Sequence, residues 1–218
     1  MRFATLISGR GSNMQALLEA CAEPGHPAKP AIVISNKADA AGLDVARSHG
    51  VPTRVISHKD YPSRRDFDEA LHGAIVDSGA ELICLAGFMR LLEADFVNRW
   101  RDRILNIHPS LLPAYRGLHT HQRVLEDGVR FSGCTVHFVR PEMDEGPIVF
   151  QACVPVREGD TEDSLAGRVL AWEHRLYPLA LRLMAEGKLR VEGNTVHIDA
   201  PLAQQDGLMN PCPEPAQG

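Results

Sequence analysis

The stretch Phe3-Ala4-Thr5-Leu6-Ile7-Ser8-Gly9-Arg10-Gly11-Ser12-Asn13-Met14 decides the fold. An apolar run of strand length stops at a glycine-punctuated turn, after which Met14, Ala16, Leu17, Leu18 and Cys21 return at helical spacing. Strand, glycine turn and helix together open an α/β unit. Gly9 and Gly11 let the backbone turn tightly and leave N–H groups of the first helical turn facing outward, where the helix dipole favours a phosphate. A glycine turn that merely caps a strand is the competing reading. A dinucleotide is disfavoured, because Met14 stands where the third glycine belongs and the next strand ends in Ser35-Asn36, with no acid for a ribose. No Gly-Lys-Ser/Thr closes a Walker loop.

Outward from this stretch, strands at 31–34, 53–56 and 81–86 alternate with helices at 40–49, closed by Gly50, and from Ser63 through Val76, closed by Gly79. The alternation predicts a doubly wound, Rossmann-like, mostly parallel sheet with helices on both faces, extended in mixed orientation by later strands, with ligands at the carboxyl ends. Strands at 132–139 and 146–154 flank a carboxylate-rich turn, Glu142-Met143-Asp144-Glu145. Thr161 caps a long helix whose Leu165, Val169, Trp172, Leu176 and Leu179 form an apolar stripe past a kink at Pro178, with Glu173 at the stripe's edge. A hairpin at 188–191 and 195–198 completes one domain over residues 1–198. The tail, 199–218, rich in Pro, Gln and Gly, is expected to be disordered.

Ile104-Leu105-Asn106-Ile107-His108-Pro109-Ser110-Leu111-Leu112-Pro113 reads as a buried strand that delivers one amide and one imidazole before two prolines stop any helix. Asn106 and His108 are two apart, so they emerge side by side at the strand's carboxyl end. A turn-forming Asn beside a surface His fits the local spacing equally well. The apolar loop Gly87-Phe88-Met89-Arg90-Leu91-Leu92 follows a strand directly and suits either a wall for a flat aromatic ligand or a plug for the core, the plug being the favoured reading. Arg64 and Arg65 at a helix start oppose its dipole, which hints at an anionic partner, although solvated arginines account for them better. His119-Thr120-His121 could join His108, with His137 further on, as a metal site, but no second ligand cluster supports it.

A chain of 218 residues, 44% hydrophobic, can bury a full core, and its net charge of −5 opposes nucleic-acid binding. The cysteines at 21, 84, 134, 153 and 212 form no Cys-x-x-Cys pair, which suits buried thiols in a reducing compartment. No signal-length or membrane-length apolar run is present, so a cytoplasmic protein is expected.

Three segments now agree: Ser8-Gly9-Arg10-Gly11-Ser12-Asn13, Asn106-Ile107-His108-Pro109-Ser110-Leu111-Leu112-Pro113, and Gly133 to Pro147 with its Met143-Asp144-x-Gly146-Pro147 close. Together with Ser35-Asn36-Lys37-Ala38-Asp39 and Leu85-Ala86-Gly87-Phe88-Met89-Arg90, they resemble the phosphoribosylglycinamide formyltransferases, folate-dependent enzymes of purine synthesis, over residues 1–198. The resemblance implies transfer of a formyl group from 10-formyltetrahydrofolate, as co-substrate, to glycinamide ribonucleotide, without a metal. It also implies that Gly11, Ser12 and Asn13 hold the ribonucleotide phosphate and Glu173 its ribose. Arg64, Met89, Arg90, Leu91 and Leu92, with Asn106, would bind the folate. Asn106, His108 and Asp144 would carry the chemistry, with the carboxylate keeping the imidazole protonated. Small-molecule substrates are the expected partners of a monomer or homodimer, with no nucleic acid or membrane. Pro141 departs from the pattern, because many relatives carry an acid there. A formyltetrahydrofolate hydrolase would not need the phosphate loop, and a methionyl-tRNA formyltransferase would bring a further domain and a basic surface. A phosphoribosyl-binding module without catalysis would not need Asn106, His108 and Asp144 together.

Overall fold

Phe3, Ala4, Leu6 and Ile7 are fully buried, which places β1 (Arg2–Ile7) inside a sheet with neighbours on both edges. In the computed structural model, which describes residues 1–203 and residue 210, those neighbours are β2 (Lys29–Ser35) and β4 (Leu82–Leu85), both parallel to β1. β3 (Thr53–Val55) continues the parallel array beyond β2, and β5 (Ile104–His108) continues it beyond β4. The chain therefore winds outward in both directions from β1, and the crevice between β1 and β4 is the topological switch point where such sheets bind ligands. Two antiparallel strands follow, β6 (Phe131–Phe138) on β5 and β7 (Ile148–Pro155) on β6. A terminal hairpin of β8 (Leu189–Glu192) and β9 (Thr195–Ile198) adds to β7 through β9. Among the described residues, nine strands stand in the order β3-β2-β1-β4-β5-β6-β7-β9-β8.

Alternation along the strands sends side chains to two separate apolar layers. Phe3, Ile7, Leu105, Ile107, Cys134 and Val136 meet α1 (Ser12–Cys21), α2 (Gly42–Ser48), α5 (Thr120–Glu126) and α6 (Glu162–Ala185) on one face. Ala4, Leu6, Ile83, Leu85 and Ile104 meet α3 (Arg64–Asp77) and α4 (Ala94–Arg99) on the other. On that second face the packed layer extends to Ile104 of β5. Asn106 and His108 share the face with Ile104, so they emerge beyond the packed layer, where loops 109–119 and 139–147 come together.

Several sequence expectations are met closely. Ser63 caps α3 by accepting from Asp66 N at 3.1 Å, and Thr161 and Ser164 form a reciprocal capping box on α6. Cys21, Cys84 and Cys134 are buried free thiols and Cys153 is half-buried, while Cys212 lies outside the described residues. Most of the tail expected to be disordered also lies outside the described residues. At Asn210 the side-chain amide donates to the carbonyls of Arg130 and Val156, at 2.6 and 2.9 Å. Among the described residues, no helix is long and apolar enough to cross a membrane.

The apolar stripe of α6 requires correction. The buried row is Leu165, Val169, Glu173, Tyr177 and Leu181, repeating every fourth residue, whereas Trp172 and Leu179 are 41% and 39% exposed. The expectation followed hydrophobicity, but two polar heads on this row have partners that permit their burial. Asn13 Nδ2 donates to Glu173 Oε2 at 2.7 Å, and Tyr177 Oη reaches the carbonyls of Leu85 and Leu105 at 2.9 and 3.0 Å. Glu173 belongs to the buried row rather than to its edge. The helix runs unbroken across Pro178.

Candidate active site

The turn after β1 is built for backbone approach. Gly11 takes φ of 74°, and a Cβ there would lie 3.0 Å from Gly42 Cα, so both conformation and space call for glycine. No side chain caps α1, whose ladder begins with Gln15 N on the Gly11 carbonyl at 2.8 Å. The N–H groups of Ser12, Asn13 and Met14 consequently lie ahead of the helix's own pairing, as an anion site requires. Asn13 contributes this N–H rather than a free side chain, since its amide nitrogen is committed to Glu173. Burial is the main force raising the Glu173 carboxyl above its ordinary range, and the Asn13 donor opposes it. Ser8 ties three strand ends together: its hydroxyl donates to Asn36 Oδ1 at 2.6 Å and accepts from Met89 N at 2.8 Å.

At the carboxyl end of β5, His108 is 6% exposed and both of its ring nitrogens face oxygen. Nε2 lies 2.9 Å from the Tyr115 carbonyl, and Nδ1 lies 3.5 Å from Asp144 Oδ1. The other carboxylate oxygen of Asp144 accepts from Gly117 N at 2.6 Å. The Tyr115 carbonyl only accepts, so Nε2 carries a proton, and Nδ1 is the nitrogen turned toward the carboxylate.

His108 and Asp144 do come together, though not from neighbouring strand ends. β6 runs antiparallel to β5 and pairs Phe138 with Leu105, so its carboxyl end lies at the opposite end of β5 from His108. Loop 139–147 must fold back over the sheet face to deliver Asp144, which adopts φ of 51°. Gly146 closes that fold, because a Cβ there would stand 2.0 Å from the Phe138 carbonyl, at φ of 130°.

Asn106, half-buried beside His108, places Nδ2 3.1 Å from Nε2 of His137. His137, weighed in the sequence only as a remote metal ligand, is the residue that the site reading missed. The available signal was strand periodicity: Thr135 and His137 share the face of β6 that pairs with His108 and Asn106. Burial pushes His137 down to about 4, against smaller opposing effects of the Phe138 carbonyl and Asp144. His119 is exposed and His121 half-buried, and among the described residues no group of His, Cys, Asp and Glu could hold a metal ion.

The loop after β4 packs on the core and also borders a cavity. Phe88 and Leu92 pack on the second apolar layer, while Met89 and Leu91 are 63% and 55% exposed. Leu91 and Leu92 line a cavity of about 520 Å³ together with Arg64, Glu93, Ala94, Asp95, Pro141 and Met143. Arg64 and Arg65 are both exposed at the start of α3, and Arg64 looks onto this cavity. Arg90 Nε is buried without a partner. The thiols are poor nucleophiles here, since burial pushes Cys21 up to about 11 and Cys134 up to about 12.

The model of the formyl transferase family matches residues 1–181. Phosphoribosylglycinamide formyltransferase of Escherichia coli is 44% identical over 199 residues, covering 91% of this chain and 94% of that protein. The trifunctional purine biosynthetic protein adenosine-3 of Bos taurus is 50% identical over 193 residues, 88% of this chain, and the chain spans 19% of that relative's length. Among solved structures, glycinamide ribonucleotide transformylase 1 of Symbiobacterium toebii superposes with a TM-score of 0.89 at 52% identity, covering 91% of this chain and 93% of that one.

Proposed function

The chain belongs to the formyl transferase family, and we propose on that premise that it transfers the formyl group of 10-formyltetrahydrofolate to the amine of glycinamide ribonucleotide, yielding formylglycinamide ribonucleotide and tetrahydrofolate. The observation that carries this reading is the position of His108 between Asp144 and the Tyr115 carbonyl, beside the Asn106 amide on one strand end.

Each substrate has a place that suits its chemistry. The phosphate of the ribonucleotide meets the free N–H groups of Ser12 and Asn13 behind Gly11, and Glu173 offers a buried carboxylate to the ribose hydroxyls. The folate lies against Leu91 and Leu92, which line the cavity with Arg64 for its glutamate carboxylates, and against Met89 and Arg90 just before them in the loop. Pro141 on the cavity rim adds an apolar edge in place of an acid.

The amine nitrogen attacks the formyl carbon and the carbonyl oxygen takes up negative charge. Asn106 donates an N–H to that oxygen, and His108 supplies a cationic N–H. Since Nδ1 faces the carboxylate, the proton on Nε2 is the one that can exchange the Tyr115 carbonyl for a developing charge. Collapse breaks the bond from carbon to folate nitrogen, and the proton lost by the attacking amine ends on that nitrogen. Neither a metal nor a covalent enzyme intermediate is needed for the step.

Incubation with both substrates should release tetrahydrofolate in proportion to the ribonucleotide added. Release without the ribonucleotide would favour the hydrolase reading, and binding of both ligands without release would favour a non-catalytic module.

A further inference from the structure

An asparagine amide can turn either end toward a neighbour, and the two ends have opposite chemistry. The NH₂ donates and the carbonyl accepts. Asn106 stabilises a developing oxyanion only if an N–H faces it, so something must decide which way the amide stands. Its one side-chain neighbour within hydrogen-bond distance among the described residues is His137, with Nδ2 and Nε2 3.1 Å apart. The other ring nitrogen of His137, Nδ1, lies 3.1 Å from the carbonyl of Phe138. A carbonyl only accepts, so Nδ1 must carry a proton. In the neutral ring Nε2 is then a bare lone pair, which can meet only an N–H.

We infer that His137 is a positioning residue for Asn106: as the Nδ1-protonated neutral tautomer, anchored on the Phe138 carbonyl, it accepts one amide N–H and so leaves the second N–H of Asn106 for the reacting oxygen. This rests on the reading of Asn106 as an oxyanion donor. A doubly protonated His137 would donate from Nε2, draw the amide oxygen toward itself and invert the end of Asn106 that faces the reaction.

Several groups bear on His137. Asp144 and the carbonyls of Phe138 and Glu145 favour the charged ring, and His108 opposes it. Burial dominates them all, with His137 only 2% exposed. The position is fixed by strand pairing, because His137 stands opposite Asn106 in the β5–β6 register. The device therefore uses the sheet itself to hold the amide.

The test has two independent arms. Long-range ¹⁵N–¹H NMR of the His-labelled protein at pH 7 should show His137 with a pyrrole-type Nδ1 and a pyridine-type Nε2, and the opposite tautomer or a charged ring would overturn the inference. In steady-state kinetics, His137→Phe, which removes the acceptor, should lower kcat by about ten- to a hundred-fold with little change in either KM. His137→Gln, whose amide oxygen can reach the former Nε2 position, should recover most of that loss. In an Asn106→Ala background His137→Phe should have little further effect. Equal losses in both backgrounds, or a loss confined to KM, would overturn the assignment. If His137→Phe does not fold, the NMR arm still decides. If the wild-type protein does not transfer formyl groups, the reading of the reaction fails, while the tautomer measurement still tests how the pair is held.

Discussion

At the scale of single residues, the candidate site combines complementary hydrogen-bonding capacities rather than unusual side chains. His108 donates to the Tyr115 carbonyl from Nε2 and faces the Asp144 carboxylate with Nδ1. We expect Asp144→Asn to lower kcat, and His108→Ala to reduce kcat by roughly 10²-fold or more with modest changes in KM. Both variants disable one unit, so the double variant should be little worse than the poorer single one. Additive losses in kcat would refute the coupling. Asn13→Ala should raise the KM for the ribonucleotide far more than that for the folate, corresponding to about 1–3 kcal/mol, because the Glu173 carboxylate loses its donor beside the phosphate loop. Equal effects on both substrates would make the loop structural only. The site was legible in the sequence where adjacent residues share an element, as Asn106 and His108 do. The Asn13–Glu173 pair spans 160 positions and the Asn106–His137 pair spans 31, so neither leaves a local pattern.

At the scale of elements, what the sequence could not disclose is how loop 139–147 travels. Its residues read as an ordinary acidic turn between two strands, and nothing local says that it must double back along the sheet to reach His108. Gly146 holds that path open. Gly146→Ala would drive a Cβ into the Phe138 carbonyl, so it should displace Asp144 and lower kcat while destabilising the protein by about 1–3 kcal/mol. Urea unfolding and kinetics on the same sample check both effects, and an unaltered kcat would show that Asp144 does not depend on this closure. On the facing loop, Leu92→Asp should weaken folate binding with the ribonucleotide's affinity nearly intact, since it places a charge on the half-buried apolar wall of the cavity. Separate calorimetric titrations decide this, and loss of ribonucleotide binding alone would mean that the two pockets are reversed. The helix α6 shows the converse limit. Periodicity located the helix and its cap, but the buried row was misplaced because Glu173 and Tyr177 are buried by virtue of distant partners.

At the scale of the whole molecule, the alternation of strands and helices was enough to foresee the parallel half of the sheet and its switch point, because each strand–helix unit is specified locally. Burying His137 in that sheet has a pH consequence. His137 has an ordinary value of 6.5 and is held near 4 in the fold, so between those pH values the unfolded chain binds a proton that the native one does not. Its contribution is fully present above 6.5, is lost as pH falls, and is gone once the native ring itself titrates near 4. The shift corresponds to about 3 kcal/mol. Glu173 and Asp68 act in the opposite sense, since burial raises both carboxyls and their protonation favours the fold as pH falls. Total stability therefore mixes the two, and a difference measurement separates them. Urea unfolding of the wild type and of His137→Gln, followed from pH 7.5 to pH 4, should show the gap between the two proteins moving in favour of the variant by about 3 kcal/mol. A gap that stays constant with pH would mean that His137 is not held neutral by its burial.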